Sequence, residues 1–124
     1  AKGTPQKDQF ISVEHGYHGS STAGSGLTAI PAFHAGFGVP YDWQHKIPSH
    51  YAYRNPVGSD PQAIIDASVA ALRAKIAELG AGRVAAFYAE PIQGSGGVLV
   101  PPTGWLKALH AVCKEHDILF VVDE

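Results

Sequence analysis

Val84-Ala85-Ala86-Phe87-Tyr88-Ala89 and Ile118-Leu119-Phe120-Val121-Val122, with the amphipathic segment Trp105–His116 between them, are the stretch that decides the fold. Both short runs are apolar at successive positions rather than alternate ones, which marks strands covered on two faces, as in a parallel sheet. The segment between them places Trp105, Leu109 and Val112, with Leu106 and Cys113, at helical spacing, and Thr103 is its expected N-cap. Glu90–Gly104, rich in glycine and proline, reads as a loop. Strand, loop, helix and strand in this order predict a parallel pair joined by a helical crossover.

The same alternation continues upstream. Ile65, Val69, Leu72, Ile76 and Leu79 form one apolar stripe and predict a helix over Pro61–Leu79, with Asp60 as cap, Pro61 at the first helical position and Gly80 past the end. Phe10–Val13 reads as a strand ending in Glu14, followed by the glycine-bracketed loop His15-Gly16-Tyr17-His18-Gly19. Small polar residues over Ser20–Thr28 suit a short, closely packed helix start. Ile30–Ser59 sets Pro31, Pro40, Pro48 and Pro56 among Phe33, Phe37, Tyr41, Trp43, Tyr51 and Tyr53, which predicts an irregular excursion pinned by aromatics. The fold class expected is α/β, in three layers, around a mainly parallel sheet.

Composition narrows the function. The chain has 124 residues, 45% hydrophobic and 16% charged, which suits one globular domain rather than disorder. A formal charge of −2 offers no basic face for nucleic acid. One cysteine, Cys113, excludes an intrachain disulfide, and the sequence has neither a signal peptide nor an apolar run of membrane-spanning length. A cytoplasmic protein with no membrane partner is the expectation. Met is absent, and the apolar run to Val122 is followed only by Asp123 and Glu124. Both features predict an internal piece of a larger protein.

In open parallel sheets, ligands sit where the strands' carboxyl ends meet loops and helix N-termini. That rule selects Glu14–Gly19, Glu90–Gly97 and Asp123-Glu124. Gly94-Ser95-Gly96-Gly97 runs into Val98-Leu99-Val100-Pro101-Pro102 and not into a helix, so it is a poor phosphate loop. His15 and His18 have no cysteine or carboxylate cluster to complete a metal shell. Ser21 follows Gly19-Ser20 and offers a serine-hydrolase nucleophile, but the second glycine of G-x-S-x-G is missing. Cys113 reads as core.

Tyr17-His18-Gly19, then Glu90-Pro91-Ile92-Gln93-Gly94 with Gly96-Gly97, then Asp123-Glu124 closing an apolar strand, together resemble the class III (ω-amino-acid, pyridoxal 5′-phosphate-dependent) aminotransferases. The resemblance covers the whole chain, and Pro101–Trp105 also looks like the family's stretch between its glutamate loop and its aspartate strand. It implies part of the large cofactor-binding domain of a fold-type I transferase over residues 1–124. It also implies an amino donor and a 2-oxo acid acceptor as substrates, and a homodimer. By the same resemblance Asp123 matches the aspartate that pairs with the cofactor's ring nitrogen, and Tyr17 the aromatic lying against that ring. The resemblance also makes His18, beside Tyr17, an expected cofactor contact. Glu90 matches a carboxylate on the substrate side, which in some relatives pairs with a mobile arginine. The aromatics from Phe33 to Tyr53 are expected to shape the pocket or the dimer contact.

The resemblance also defines what is missing. Relatives hold the cofactor covalently on a lysine beyond the Asp-Glu strand, and none of Lys2, Lys7, Lys46, Lys75, Lys107 or Lys114 stands at that place in the motif. Their phosphate cradle lies upstream of the position matching Ala1. The expectation is therefore a fragment that is inactive alone, and the alternative is a non-catalytic fragment or fold relic acting only in packing or association.

Overall fold

The computed structural model describes residues 3–124. Its elements are β1 (Gln9–Val13), α1 (Thr22–Leu27), β2 (Gln44–Ile47), α2 (Pro61–Leu79), β3 (Val84–Ala89), α3 (Trp105–Glu115) and β4 (Leu119–Val122). The strands form one sheet in the order β2-β1-β3-β4, and every neighbouring pair is parallel. The expected α/β layering around a parallel sheet is what the chain adopts.

β2 is the element that the sequence hides. It lies within the stretch expected to be irregular, because Gln44-His45-Lys46-Ile47 has a single apolar residue. Its register, Phe10↔Gln44 to Val13↔Ile47, aligns Gln44 and Lys46 with Phe10 and Ser12 on one face. A strand bordering the described sheet pairs on one side only, so it needs no continuous apolar run.

The two faces of the sheet are covered differently. Ile11, Val13, Ile47, Phe87 and Ala89 pack with Leu72 and Ile76 of α2 and Trp105, Leu109, Val112 and Cys113 of α3 in one buried cluster. Burial pushes the Cys113 thiol up to about 12, so it is core and not a nucleophile. On the opposite face α1 hangs from side chains of the sheet. Ser12 Oγ donates to the Leu27 carbonyl (2.7 Å), Gln44 Nε2 to that of Ala23 (2.7 Å) and Lys46 Nζ to that of Gly26 (2.6 Å).

The two long helices differ from expectation only in detail. Asp60 Oδ2 accepts from the Ala63 amide at 2.8 Å, with Pro61 at the first position and Gly80 closing α2. The buried stripe is wider than the one expected: Ile64, Ser68, Leu72 and Ile76 are deepest, and Ile65, Val69 and Leu79 pack at its margin. Thr103 does not cap α3. Gly104 takes that position at φ 94°, with no side-chain cap. The preceding Pro101-Pro102 turn explains the change, since the Trp105 amide already donates to the Pro102 carbonyl at 3.0 Å and the left-handed residue this requires suits glycine.

Topology then places the site. From β1 the chain crosses to β2 on one side, and from β3 it crosses to β4 on the other. The outgoing loops of two adjacent strands therefore diverge, leaving a crevice beyond their carboxyl ends. Among the described residues no helix is long and apolar enough to cross a membrane.

Candidate active site

The loop after β1 is held from three directions. The Tyr17 amide donates to Glu90 Oε1 at 2.7 Å, and the other oxygen of Glu90 accepts from the Gly94 amide at 3.1 Å. Glu90 thus ties the two diverging loops to each other. The His18 amide donates to Thr28 Oγ1 (2.8 Å), and that hydroxyl donates onward to the Gly19 carbonyl (3.2 Å). The His18 ring reaches the end of β4, with Nδ1 3.0 Å from Asp123 Oδ2. Asp123 is fixed there by its own amide, which donates to the Ala89 carbonyl at 3.0 Å.

Two glycines of these loops have a steric reason. A Cβ on Gly16 would lie 2.9 Å from the Val13 carbonyl oxygen and 3.1 Å from His18 Nε2. A Cβ on Gly96 would collide with the His15 carbonyl oxygen. Hydrogen at Gly16 lets the loop after β1 fold back on itself, and hydrogen at Gly96 lets the loop after β3 lie directly on it. Gln93 completes the junction. It is 2% exposed, Nε2 donates to the Glu14 carbonyl at 2.8 Å, and Oε1 accepts from Ser49 Oγ at 3.2 Å.

These contacts enclose a cleft of about 420 Å³ lined by Tyr17, His18, Glu90 and Asp123, with Gly19, Ile92, Gly94, Ser95 and Glu124. The four site residues picked from the sequence thus share one cleft. Among the described residues that line it, three side chains are carboxylates and none is lysine or arginine, so they favour a cation. The Asp123 side chain is 43% exposed, whereas that of His18 is 3% exposed, with its ring edge-on to Tyr88 at 5.8 Å. Tyr17 is 37% exposed and meets Phe33 edge-on at 5.8 Å. Beside it Phe33 and Phe37 line an adjoining cavity of about 280 Å³, so part of the aromatic excursion does border the site.

Other residues weighed from the sequence lie elsewhere. Ser21 Oγ caps α1 by accepting from the Gly24 amide at 3.1 Å, which gives that hydroxyl a structural task. Lys46 lines a separate groove, and burial pushes its ammonium down to about 8. Lys7, Lys75, Lys107 and Lys114 do not line the cleft, and Lys2 lies outside the described residues. Thr28, Gln93 and Ser49 are site-forming residues that sequence reasoning missed. Gln93 stood inside a recognised motif, and a lone amide in a Pro/Gly-rich loop was its available signal.

The profile of the family described as "Aminotransferase class-III" matches residues 1–124. The chain belongs to the class III aminotransferases. Among the relatives of this aminotransferase chain is the putrescine–pyruvate aminotransferase of Pseudomonas aeruginosa, 39% identical over 123 residues, which cover 99% of this chain and 27% of the relative. The adenosylmethionine-8-amino-7-oxononanoate aminotransferase of Geobacter sulfurreducens is 36% identical over 124 residues, with the same shares. A solved amine transaminase from an uncultivated Pseudomonas species, crystallised in a PLP-bound form, superposes with a TM-score of 0.94 at 38% identity, over 98% of this chain and 28% of that one. The chain thus spans about 27% of the length of the curated relatives it matches. The parallel α/β sheet agrees with a fold-type I transferase.

Proposed function

We propose that the protein carrying this chain is a pyridoxal 5′-phosphate-dependent aminotransferase that moves an amino group from an ω-amino acid or amine to a 2-oxo acid. It works as a cytoplasmic homodimer, and residues 1–124 form part of its large domain. The observation that carries this reading is the placement of Asp123, a half-exposed carboxylate at the floor of a cleft that also presents Tyr17 and Glu90.

The residues present fit the ring end of the cofactor. A carboxylate at the cleft floor pairs with a protonated ring nitrogen, and Tyr17 offers a flat aromatic face. Among the described residues that line the cleft there is no lysine or arginine to pair with the cofactor's phosphate, so it is the ring end that these residues fit. When bound, the cofactor supplies an electron sink for the bond-breaking carbon of the amine. The chain's own residues do the rest. Asp123 holds the ring proton in place. Glu90 keeps Tyr17 in position through its backbone amide and adds negative charge on the side where a protonated amine enters.

The test is Asp123→Asn in the full-length protein, which keeps the shape and removes the charge. Amine transfer to pyruvate is expected to fall by about 10²- to 10³-fold, the loss typical when a charge-stabilising partner is removed. Wild-type turnover by Asp123→Asn would overturn the reading.

A further inference from the structure

Lys46 is a half-buried amine that the cleft does not use. It projects from β2 on the same face as Ser12, and its Nζ donates to the Gly26 carbonyl at 2.6 Å. Among the described residues it has no carboxylate partner, and it lines a groove of about 460 Å³ whose floor of Ala29, Ile30, Pro31 and Pro40 is apolar. We propose that Lys46 is an aldehyde-trapping amine: an apolar aldehyde seated in this groove forms a reversible imine with its nitrogen. The inference goes beyond the function proposed above.

Geometry gives the nitrogen a direction. Once a lysine has shed one proton it keeps two N–H bonds and one lone pair. One N–H is committed to Gly26, so the lone pair is turned away from α1, and the open space left to it is the groove. Burial supplies the neutral form, because it pushes the ammonium from 10.5 down to about 8. The titratable groups that line the groove with Lys46 are Glu14 and His15 after β1 and His34 after α1. His45, next to it in β2, turns to the other face, where Nε2 lies 2.7 Å from Gln9 Oε1. His34 Nε2 is held 2.6 Å from the Thr28 carbonyl, which leaves Glu14 and His15 to relay protons. The step needs no further reactant. The lone pair forms a C–N bond to the carbonyl carbon, and the nitrogen passes one proton to the carbonyl oxygen. The hydroxyl so formed then leaves as water with a proton relayed by Glu14 or His15, giving a protonated imine whose remaining N–H still serves Gly26. Addition of water reverses the sequence. An aldehyde is also what a primary amine donor becomes under the function proposed above, and Ser95 lines both groove and cleft, so such a product forms close to Lys46. That source rests on the aminotransferase reading; the reactivity of Lys46 does not.

Reductive trapping in the full-length protein, with its cofactor bound, tests this. Benzaldehyde is added with cyanoborohydride, whose hydride reduces the imine carbon and leaves a stable benzyl mark, and the marked lysines are located by peptide mass. At pH 7 Lys46 is expected to be marked about 10- to 100-fold faster than the exposed Lys107 and Lys114, since an amine at about 8 is roughly a tenth neutral there and an ordinary lysine at 10.5 far less. The rate at Lys46 should level off above about pH 8. Ala29→Leu, which narrows the groove, should slow the marking of Lys46 and leave that of Lys107 unchanged. Marking of Lys46 no faster than of Lys107 and Lys114, or a rate at Lys46 indifferent to Ala29→Leu, overturns the inference and leaves the aminotransferase reading standing. Undiminished turnover in Asp123→Asn overturns that reading instead and leaves trapping by Lys46 standing.

Discussion

The two faces of the sheet hold their helices by opposite means. Beneath α2 and α3, Ile11, Val13, Phe87 and Ala89 meet Leu72, Ile76, Leu109 and Val112 in a dry contact in which no single pair is indispensable. Beneath α1 the attachment is three directed hydrogen bonds, from Ser12, Gln44 and Lys46, to main-chain carbonyls of a six-residue helix. Hydrophobic packing resists unfolding but tolerates small shifts, whereas hydrogen bonds fix position within a few tenths of an ångström and add little net stability. The loop bearing Tyr17 and His18 runs straight into α1. The face that contributes least to stability therefore sets where the site residues stand.

Three substitutions probe that contrast. The largest effect belongs to Leu109→Ala, which empties a fully buried position at the α3 contact and should cost about 2–5 kcal/mol in chemical denaturation. A cost under about 1 kcal/mol would mean that the dry face is not the main source of stability. Next comes acid. His50 is 1% exposed, lies edge-on to Trp105 at 4.7 Å, and is pushed down to about 4, mainly by burial and further by the charge of His15. Its folded-state value lies below the ordinary 6.5, so its contribution is complete above about pH 6.5 and is lost as pH falls through about 4. The wild type should lose about 3 kcal/mol across that window, and His50→Phe should flatten the slope. Smallest is Ser12→Ala, which strands the buried Leu27 carbonyl at about 1–3 kcal/mol. Cofactor affinity should fall further than the melting temperature alone would predict. A variant as destabilised as Leu109→Ala, with unaltered cofactor affinity, would erase the distinction between the faces.

The dry face was legible from sequence because its signal is local. The aspartate cap Asp60, Pro61 and a stripe of aliphatic residues define α2, and uninterrupted apolar runs define β3 and β4. The polar face was not. Gln44-His45-Lys46-Ile47 looks like loop until its partner Phe10–Val13 is beside it, and the task of Ser12 exists only once Leu27 has been brought over it. Thr103 failed as a cap for a related reason: the turn made by Pro101-Pro102 had already supplied the acceptor for Trp105. In the site, the segments holding Tyr17, Glu90 and Asp123 could be picked by their place at strand ends, and the residues themselves by the family resemblance. The direction in which His18 points could not, because it depends on Asp123, Thr28 and Gly16 together.

The contact between His18 and Asp123 joins positions 105 residues apart. β1 can pair with β2 and with β3 while Glu90 is the cleft's one carboxylate among the described residues, and Asp123 and Glu124 join it only when β4 docks against β3. Closing so long a loop is entropically slow compared with forming the helices. The full set of Tyr17, His18, Glu90 and Asp123 around one cleft is thus a late product of folding, present only once the sheet is assembled.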